Sequence, residues 1–573
     1  RPIRLRGPWR AGKLAKKPSA RDMLRLDQKI EEGLAAYRRS MRAGERDEAR
    51  VAVGRIVERV PHQPEAGFSS AMAILREGGL DAGITVLRAV LAAAPENAGA
   101  RLILARALIA EGQAEAGEAE LRALADAELP LPAAVIELAG ALNQRGAGAE
   151  AIEVLQQAVE KMPGETGLKI NLGGLLASAK RLDKARRVLE SAVAQAPEAP
   201  LAHYNLARVQ RELGADEAAM WHFRQAVTLD PSLDQGWRNL GNALLDLGRV
   251  EEAFAAFHQG TLARRGLGSA SSRDPQFFRT SASKLTHDIE QFRYLRQQGK
   301  LPEAFDETIA AYEQTLAELP AAESLSHIVD IPKHLLAALA PTYNRLSVCE
   351  PSPVRTPRAV NPRIDTASVA ADYAQNAPGI AYVDDFLTQA ALEELRRFCL
   401  ESTVWFQYRY GNGYLGAFFD DGFASPLFYQ ISEELRTAMP EIFGSHTLRK
   451  LWAFKYDSRL SGIPMHADFA AVNVNFWITP DDSNLEPDSG GLEIWDKEAP
   501  ADWDFSKYNT DEAAMRRFLS AQNARSVKIP YRCNRVVIFN SDLFHATGDL
   551  HFRPGYENRR VNITMLYGKR QNA

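Results

Sequence analysis

The stretch IPMHADFAAVNVNFWIT, residues 463–479, holds two signals side by side. From residue 471 onward, Val472, Val474, Phe476 and Ile478 fall on one face of an extended chain, and Asn473 and Asn475 on the other. That is the pattern of a strand with one apolar and one polar face. Just before it, His466 and Asp468 stand two apart in what reads as a turn. A surface turn explains such a pair, and so do two ligands of a metal ion. The pair alone does not decide.

Working outward, the neighbouring sequence has the composition of strands. Five of the eight tryptophans are Trp405, Trp452, Trp477, Trp495 and Trp503, and short β-branched and aromatic runs replace alanine-rich helix. Strands are expected at 379–385, 451–457, 471–479, 490–496, 534–540 and 559–568, with helices at 388–400 and 425–439. Many short strands without alternating helices predict a sandwich or barrel with helices packed outside.

A third candidate ligand, His545, follows the expected strand 534–540. Two imidazoles and one carboxylate from separate strands suit Fe(II), occupying one face of the ion and leaving the opposite positions open. His551 is the alternative distal ligand, further from the strand end, and Asp542 reads as a turn residue. In ENRRVNITMLYG, 557–568, alternation groups Arg560, Asn562 and Thr564 against Arg559, Val561, Ile563 and Met565. With the apolar face under the helices, Arg560 points inward, where a guanidinium calls for a carboxylate partner. Arg559 faces the wrong way for that role. Asn473 and Asn475 are placed to line the same pocket. The glycine-rich YRYGNGYLGAF, 408–418, reads as a lid or a plain surface turn, and Cys533 as a core residue.

Residues 375 to 570 or so resemble the iron(II)- and 2-oxoglutarate-dependent dioxygenases of double-stranded β-helix (jelly-roll, cupin-like) fold. The family pattern of His-x-Asp, a distal His and a later Arg is reproduced in order by His466-Ala-Asp468, His545 and Arg560-Val-Asn562. The glycine pair at 490–491 and the approach FRPGYENRR, 552–560, also fit. The resemblance implies that His466, Asp468 and His545 hold iron. It implies that 2-oxoglutarate chelates the metal through its 1-carboxylate and keto oxygen while Arg560 holds the 5-carboxylate, with Asn562 beside it. Tyr456 occupies the place where members often carry a tyrosine for the co-substrate. O2 would be the second co-substrate, with ascorbate as a candidate accessory reductant. Members that halogenate have lost the carboxylate ligand, so Asp468 favours hydroxylation.

The first half is built differently. Prolines recur at Pro61, Pro95, Pro130, Pro163, Pro197 and Pro231, at gaps of 34, 35, 33, 34 and 34 residues. A fixed period of this length signals stacked two-helix units. Small residues mark close helix approaches: Gly173 and Ala185 with Leu189, then Ala207 and Ala219 with Phe223, then Gly241 and Ala253 with Phe257. The pattern resembles the tetratricopeptide repeat, in about seven units over 30–267. Trp221 and Trp237 are expected in its core. The resulting plan is a basic tail (1–29), an all-α repeat solenoid (30–267), a helical connector (268–348), a proline-rich linker (349–374) and the oxygenase region (375–573).

The totals limit the function classes. The 573-residue chain needs several cores. Its net charge of −4 gives no reason to expect nucleic acid as a partner. Three cysteines without a CxxC pairing argue against a disulfide framework and suit a reducing, cytoplasmic setting. No apolar run is long enough to span a bilayer. The chain starts at Arg1 and not at methionine, which leaves its native start open. Repeat-plus-oxygenase chains resemble the collagen prolyl hydroxylases and the aspartyl/asparaginyl β-hydroxylases, although the latter lack the carboxylate that Asp468 supplies. The first expectation is therefore a hydroxylase of protein or peptide side chains presented by the solenoid. The second is an oxygenase of a small molecule, with the repeats serving homodimerisation or docking. The third is a repeat scaffold without turnover.

Overall fold

The computed structural model describes residues 20–570 apart from 129, 268–273, 321–323, 325, 349–354, 376–378, 411–412, 458–461 and 549, with side chains from residue 28. Most of the expected basic tail, residues 268–273 at the start of the expected connector and the start of the proline-rich linker lie outside these residues. The chain forms two compact units that divide between Leu213 and Gly214. No helix among the described residues is long and apolar enough to cross a membrane.

The first unit is a helical tetratricopeptide solenoid. Paired helices follow one another, as in Pro132–Gln144 with Gly148–Lys161 and Thr166–Ser178 with Leu182–Gln195. Leu138, Leu155, Leu172 and Leu189 are buried between them. The expected close approaches are present: a Cβ on Gly173 would run into the Leu189 side chain, and one on Gly241, in the second unit, into Phe257. A second period emerges that the proline spacing did not reveal. Gly44, Gly78, Gly112, Gly146, Gly214 and Gly248 all have positive φ, and the place missing from this 34-residue series is taken by Lys180 at φ 57°. Each is the left-handed residue that turns one helix into the next. Trp221 departs from expectation, being 51% exposed. Trp237 is half-buried, its indole N–H donating to the Pro231 carbonyl at 3.0 Å.

The second unit opens with three further repeat helices, Asp216–Leu229, Asp234–Asp246 and Val250–Arg265. A two-stranded ladder, β1 (Arg279–Thr280) with β2 (Val329–Asp330), brackets the helices Ala282–Gln297 and Phe305–Glu318. Nine strands follow among the described residues: β3 (Ile380–Val383), β4 (Leu415–Phe418), β5 (Leu448–Tyr456), β6 (Val472–Trp477), β7 (Leu492–Glu498), β8 (Ser526–Ile529), β9 (Val536–Asn540), β10 (Leu543–Thr547) and β11 (Arg560–Tyr567). They form an antiparallel six-stranded sheet in the order β3-β9-β6-β11-β5-β4 and an antiparallel three-stranded sheet in the order β10-β7-β8. All six expected strands are present, and the two expected helices appear as Gln389–Glu401 and Pro426–Ala438.

The described part of the segment 408–418 is more than a surface turn. Its end is β4, the sheet edge beside β5, and Tyr414 is buried against Tyr456 with ring centroids 5.2 Å apart. The stretch read as a connector is no spacer either. Gln291 donates to the carbonyls of Leu400 and Ser402 at 3.1 and 2.9 Å, which fastens the helix Ala282–Gln297 to the β-rich region. Phe257 of the last repeat helix packs on Phe419 at 4.6 Å. Cys533, read as core, is only half-buried.

Candidate metal centre and anion pocket

The residues quoted at the outset converge. His466 lies on an irregular segment that bridges β10: its backbone N–H donates to the His545 carbonyl at 3.0 Å, and His545 returns the bond at 2.8 Å. His545 itself sits inside β10, not beyond the end of a strand. Among the described residues, His466, Asp468 and His545 form one cluster whose ligand atoms all lie within 4.8 Å of one another. The Asp468 Oδ2 is 3.5 Å from the His545 Nε2.

The outer contacts leave the right atoms facing inward. His466 Nδ1 is 2.9 Å from the Pro464 carbonyl, and His545 Nδ1 is 3.1 Å from the Leu543 carbonyl. A carbonyl only accepts, so each Nδ1 carries the proton and each Nε2 presents a lone pair. Asn473 donates to Asp468 Oδ2 at 2.6 Å, orienting the carboxylate. Burial pushes Asp468 above the usual carboxylate range, with His466 and Asn473 opposing. Burial likewise drives His545 well below an ordinary imidazole, with His466 adding to the effect. Imidazoles with Nδ1 engaged outward and Nε2 facing inward, beside a buried carboxylate in need of a positive charge, are what a divalent cation requires. The donor set fits the metal that the resemblance implies.

Across the inner sheet face, Asn473, Asn475, Asn562 and Thr564 form a polar ladder. Asn475 donates to Asn473, and its own Oδ1 accepts from Thr564 at 2.8 Å and Asn562 at 3.0 Å. Asn473 and Asn475, expected to line the pocket, thus form a hydrogen-bonded chain that ends on Asp468.

Arg560 is 1% exposed, and its Nε donates to the Gly490 carbonyl at 2.8 Å. Gly490 reaches that position at φ 72°, and a side chain on Gly491 would collide with the Ile529 carbonyl, so the glycine pair is a steric requirement. Among the described residues, the two Nη atoms of Arg560 are buried without a backbone or carboxylate partner. The buried Tyr456 hydroxyl, opposite it across β5 and β11, lies against Arg560 and Thr547. Burial works against the Arg560 charge, with the Tyr456 and Tyr531 phenols favouring it. An unneutralised guanidinium enclosed in this way fits a carboxylate ligand.

The rival residues are occupied elsewhere. Arg559 faces the other way and pairs with Glu290 at 2.8 Å and Asp457 at 3.2 Å. His551 is exposed and sits 2.9 Å from Glu486. Asp542 lies in the turn before β10, beside Arg570. Two contributors went unread in the sequence. Trp477 continues the 473–475 alternation onto the pocket face. Asn509, from a helical insert between β7 and β8, grips the middle of the ligand turn: its amide donates to the Ala467 carbonyl at 3.1 Å, and Ala467 N–H donates to the Tyr508 carbonyl at 2.9 Å. Strand alternation signalled the first; nothing local signalled the second.

The first half places the chain among repeat proteins. Tetratricopeptide-repeat family models match residues 102–166, 142–209 and 201–233, so the chain carries these repeats. Among curated proteins, none matches the chain. Similar solved structures include MamA from Desulfovibrio magneticus RS-1, 22% identical, covering 30% of this chain and 98% of that one at a TM-score of 0.27. Pseudomonas aeruginosa pilF is 20% identical, covering 35% and 90% at 0.31. A thermophilic TPR protein of Thermus thermophilus is 20% identical, covering 32% and 99% at 0.26.

Proposed function

We propose that the β-rich region is an Fe(II)- and 2-oxoglutarate-dependent dioxygenase of double-stranded β-helix type, hydroxylating a side chain of a protein or peptide. The observation that carries this reading is the pairing of two sites on one sheet. Two imidazole nitrogens and a carboxylate converge within 4.8 Å, and a buried guanidinium lies on the same inner face. His466, Asp468 and His545 would hold iron, and Arg560 with Tyr456 the distal carboxylate of 2-oxoglutarate. Bound there, metal and keto acid supply oxygen-activating chemistry able to oxidise an unactivated C–H bond.

The chain's own contribution is position and exclusion of water. Asn473 holds the Asp468 carboxylate toward the imidazoles, and the carbonyls of Pro464 and Leu543 fix both tautomers. Tyr414, Phe454 and Trp477 wall the pocket with apolar surface. The solenoid supports a polypeptide substrate. A groove of about 260 Å³ runs over Gly140, Asn143, Asn171, Gly174, Asn205 and Arg208, whose amides complement peptide bonds.

The test is uncoupled turnover. With Fe(II) and O2 the protein should convert 2-oxoglutarate to succinate, and His466→Ala or His545→Ala should abolish it. Conversion continuing at the parent rate in both variants would refute the assignment. Iron binding without any turnover would leave the scaffold reading. Product mass then separates a +16 Da peptide from an oxidised small molecule.

A further inference from the structure

The pocket around Arg560 holds more donors than the arginine and tyrosine account for. Trp477 lies at the end of β6, directly opposite Asn562 on β11, and its indole Nε1 is buried without a hydrogen-bond partner. The Arg560 guanidinium carbon lies 5.0 Å from the Tyr456 ring centroid, 5.6 Å from that of Trp477 and 5.8 Å from that of Tyr531. Tyr531 is already engaged, its hydroxyl donating to the Thr479 carbonyl. Gly490 is engaged with the Arg560 Nε. Among the described residues, the Arg560 Nη atoms and the Trp477 indole N–H are buried with no acceptor beyond the Tyr456 phenol, which itself lies against Arg560 and Thr547.

A carboxylate presents about four lone-pair sites on two oxygens, enough to take up the Arg560 Nη atoms and the Trp477 indole together. Its single negative charge also neutralises the single buried cation. We propose that Trp477 is a further donor of a carboxylate pocket, contacting the distal carboxylate of the keto acid and adding to the preference for a keto diacid over a keto monoacid. The inference rests on the reading of the preceding subsection. One rival partner exists for the indole, because the Oδ1 of Asn562 is also buried without a partner. A Trp477–Asn562 bond would make the tryptophan structural.

Titration calorimetry on the full chain loaded with Mn(II), an inert stand-in for Fe(II), separates the cases. Its ligands are 2-oxoglutarate and pyruvate, which share the chelating end and differ in the distal carboxylate. Trp477→Phe should weaken 2-oxoglutarate about tenfold, the scale of one lost hydrogen bond to a charged group, and leave pyruvate unchanged. Arg560→Met should erase the preference for the diacid. An unchanged preference in Arg560→Met overturns the pocket and the functional reading with it. A lost preference there, with Trp477→Phe like the parent, overturns only the role of Trp477. The parent protein with ¹⁵N-labelled indoles gives a second readout that no folding defect can mimic. The Trp477 N–H resonance should move on adding 2-oxoglutarate and stay in place with pyruvate; equal response to both assigns the indole to Asn562. Inorganic sulfate displacing 2-oxoglutarate as well as glutarate does would overturn carboxylate selectivity.

Discussion

At the scale of single residues, Asn473 has the most to lose by substitution. It receives the Asn475 amide and donates to Asp468, so it is the joint between the polar ladder and the ligand set. Asn473→Leu should leave the Asp468 carboxylate unaimed and the Asn475 donor unpaired. Support groups of this kind are worth about 10- to 100-fold in metal affinity, and Mn(II) titration of parent and variant should show a loss in that range. Lys180 is the opposite case, a residue placed where the backbone favours glycine. Its φ of 57° falls in the 34-residue series that glycine otherwise fills. Its one visible compensation is an ion pair with Glu212 at 2.7 Å, on a side chain that is 73% exposed. An exposed pair adds little. Lys180→Gly should therefore stabilise the solenoid by about 0.5–1 kcal/mol, the left-handed cost outweighing the added chain entropy, as read by denaturant unfolding. A destabilised variant would show that the Glu212 contact matters more than the backbone.

At the scale of elements, the helical insert between β7 and β8 clamps the ligand turn from outside the sheets. The helices Phe505–Asn509 and Glu512–Ala521 carry no ligand, yet Asn509 and the Tyr508 carbonyl hold both backbone polar groups of Ala467. Asn509→Ala should lower metal affinity several-fold while shifting the melting temperature little, because one part-buried hydrogen bond is worth about 1 kcal/mol. Equal losses in both measurements would mean that the insert serves folding alone. This element also marks where the sequence stopped being legible. The candidate ligands His466, Asp468 and His545 were legible through their resemblance to an ordered His-x-Asp and distal His pattern, and the inward side of Arg560 through strand alternation. Asn509 could not be read, because its partner lies 42 residues away and an asparagine in an insert has no distinguishing pattern. The short strands escaped for related reasons. β4 contains a glycine, and β8 is mostly exposed, so neither shows an apolar alternation. Trp221 was misread because a large apolar residue on a repeat helix was assumed to face its core, and the phase of that helix turns it outward.

At the scale of the whole molecule, the second unit holds together through buried charge as well as apolar contact. Arg265, at the end of the last repeat helix, meets Asp421 near β4 in a two-pronged pair at 2.5 and 2.6 Å. Behind the site, the helix Ala282–Gln297 brings Lys284, His287 and Asp288 to the back of β5, where Lys455 is caged between the rings of Trp405 and Tyr556. Burial, then the charges of Lys455, Arg559 and Lys284, drive His287 well below an ordinary imidazole; Asp288 is its acidic neighbour at 3.1 Å. Because its folded-state pKa is depressed, His287 stays neutral in the native protein while the unfolded chain takes up a proton below about pH 6.5. The stability this confers is complete above that pH and is lost as the pH falls through it. The slope approaches about 1.4 kcal/mol per pH unit for one linked proton. Asp288 acts in the reverse sense, since burial raises its pKa against the pull of Lys284, so native protonation partly offsets the loss at lower pH. Comparing the parent with His287→Gln isolates the histidine: between pH 7 and 5 the parent should lose stability to denaturant along that slope, and the variant should run flatter by nearly one proton. Parallel profiles would mean that His287 accepts its proton in the folded state, and that the helix behind β5 opens to water far more readily than its packing implies.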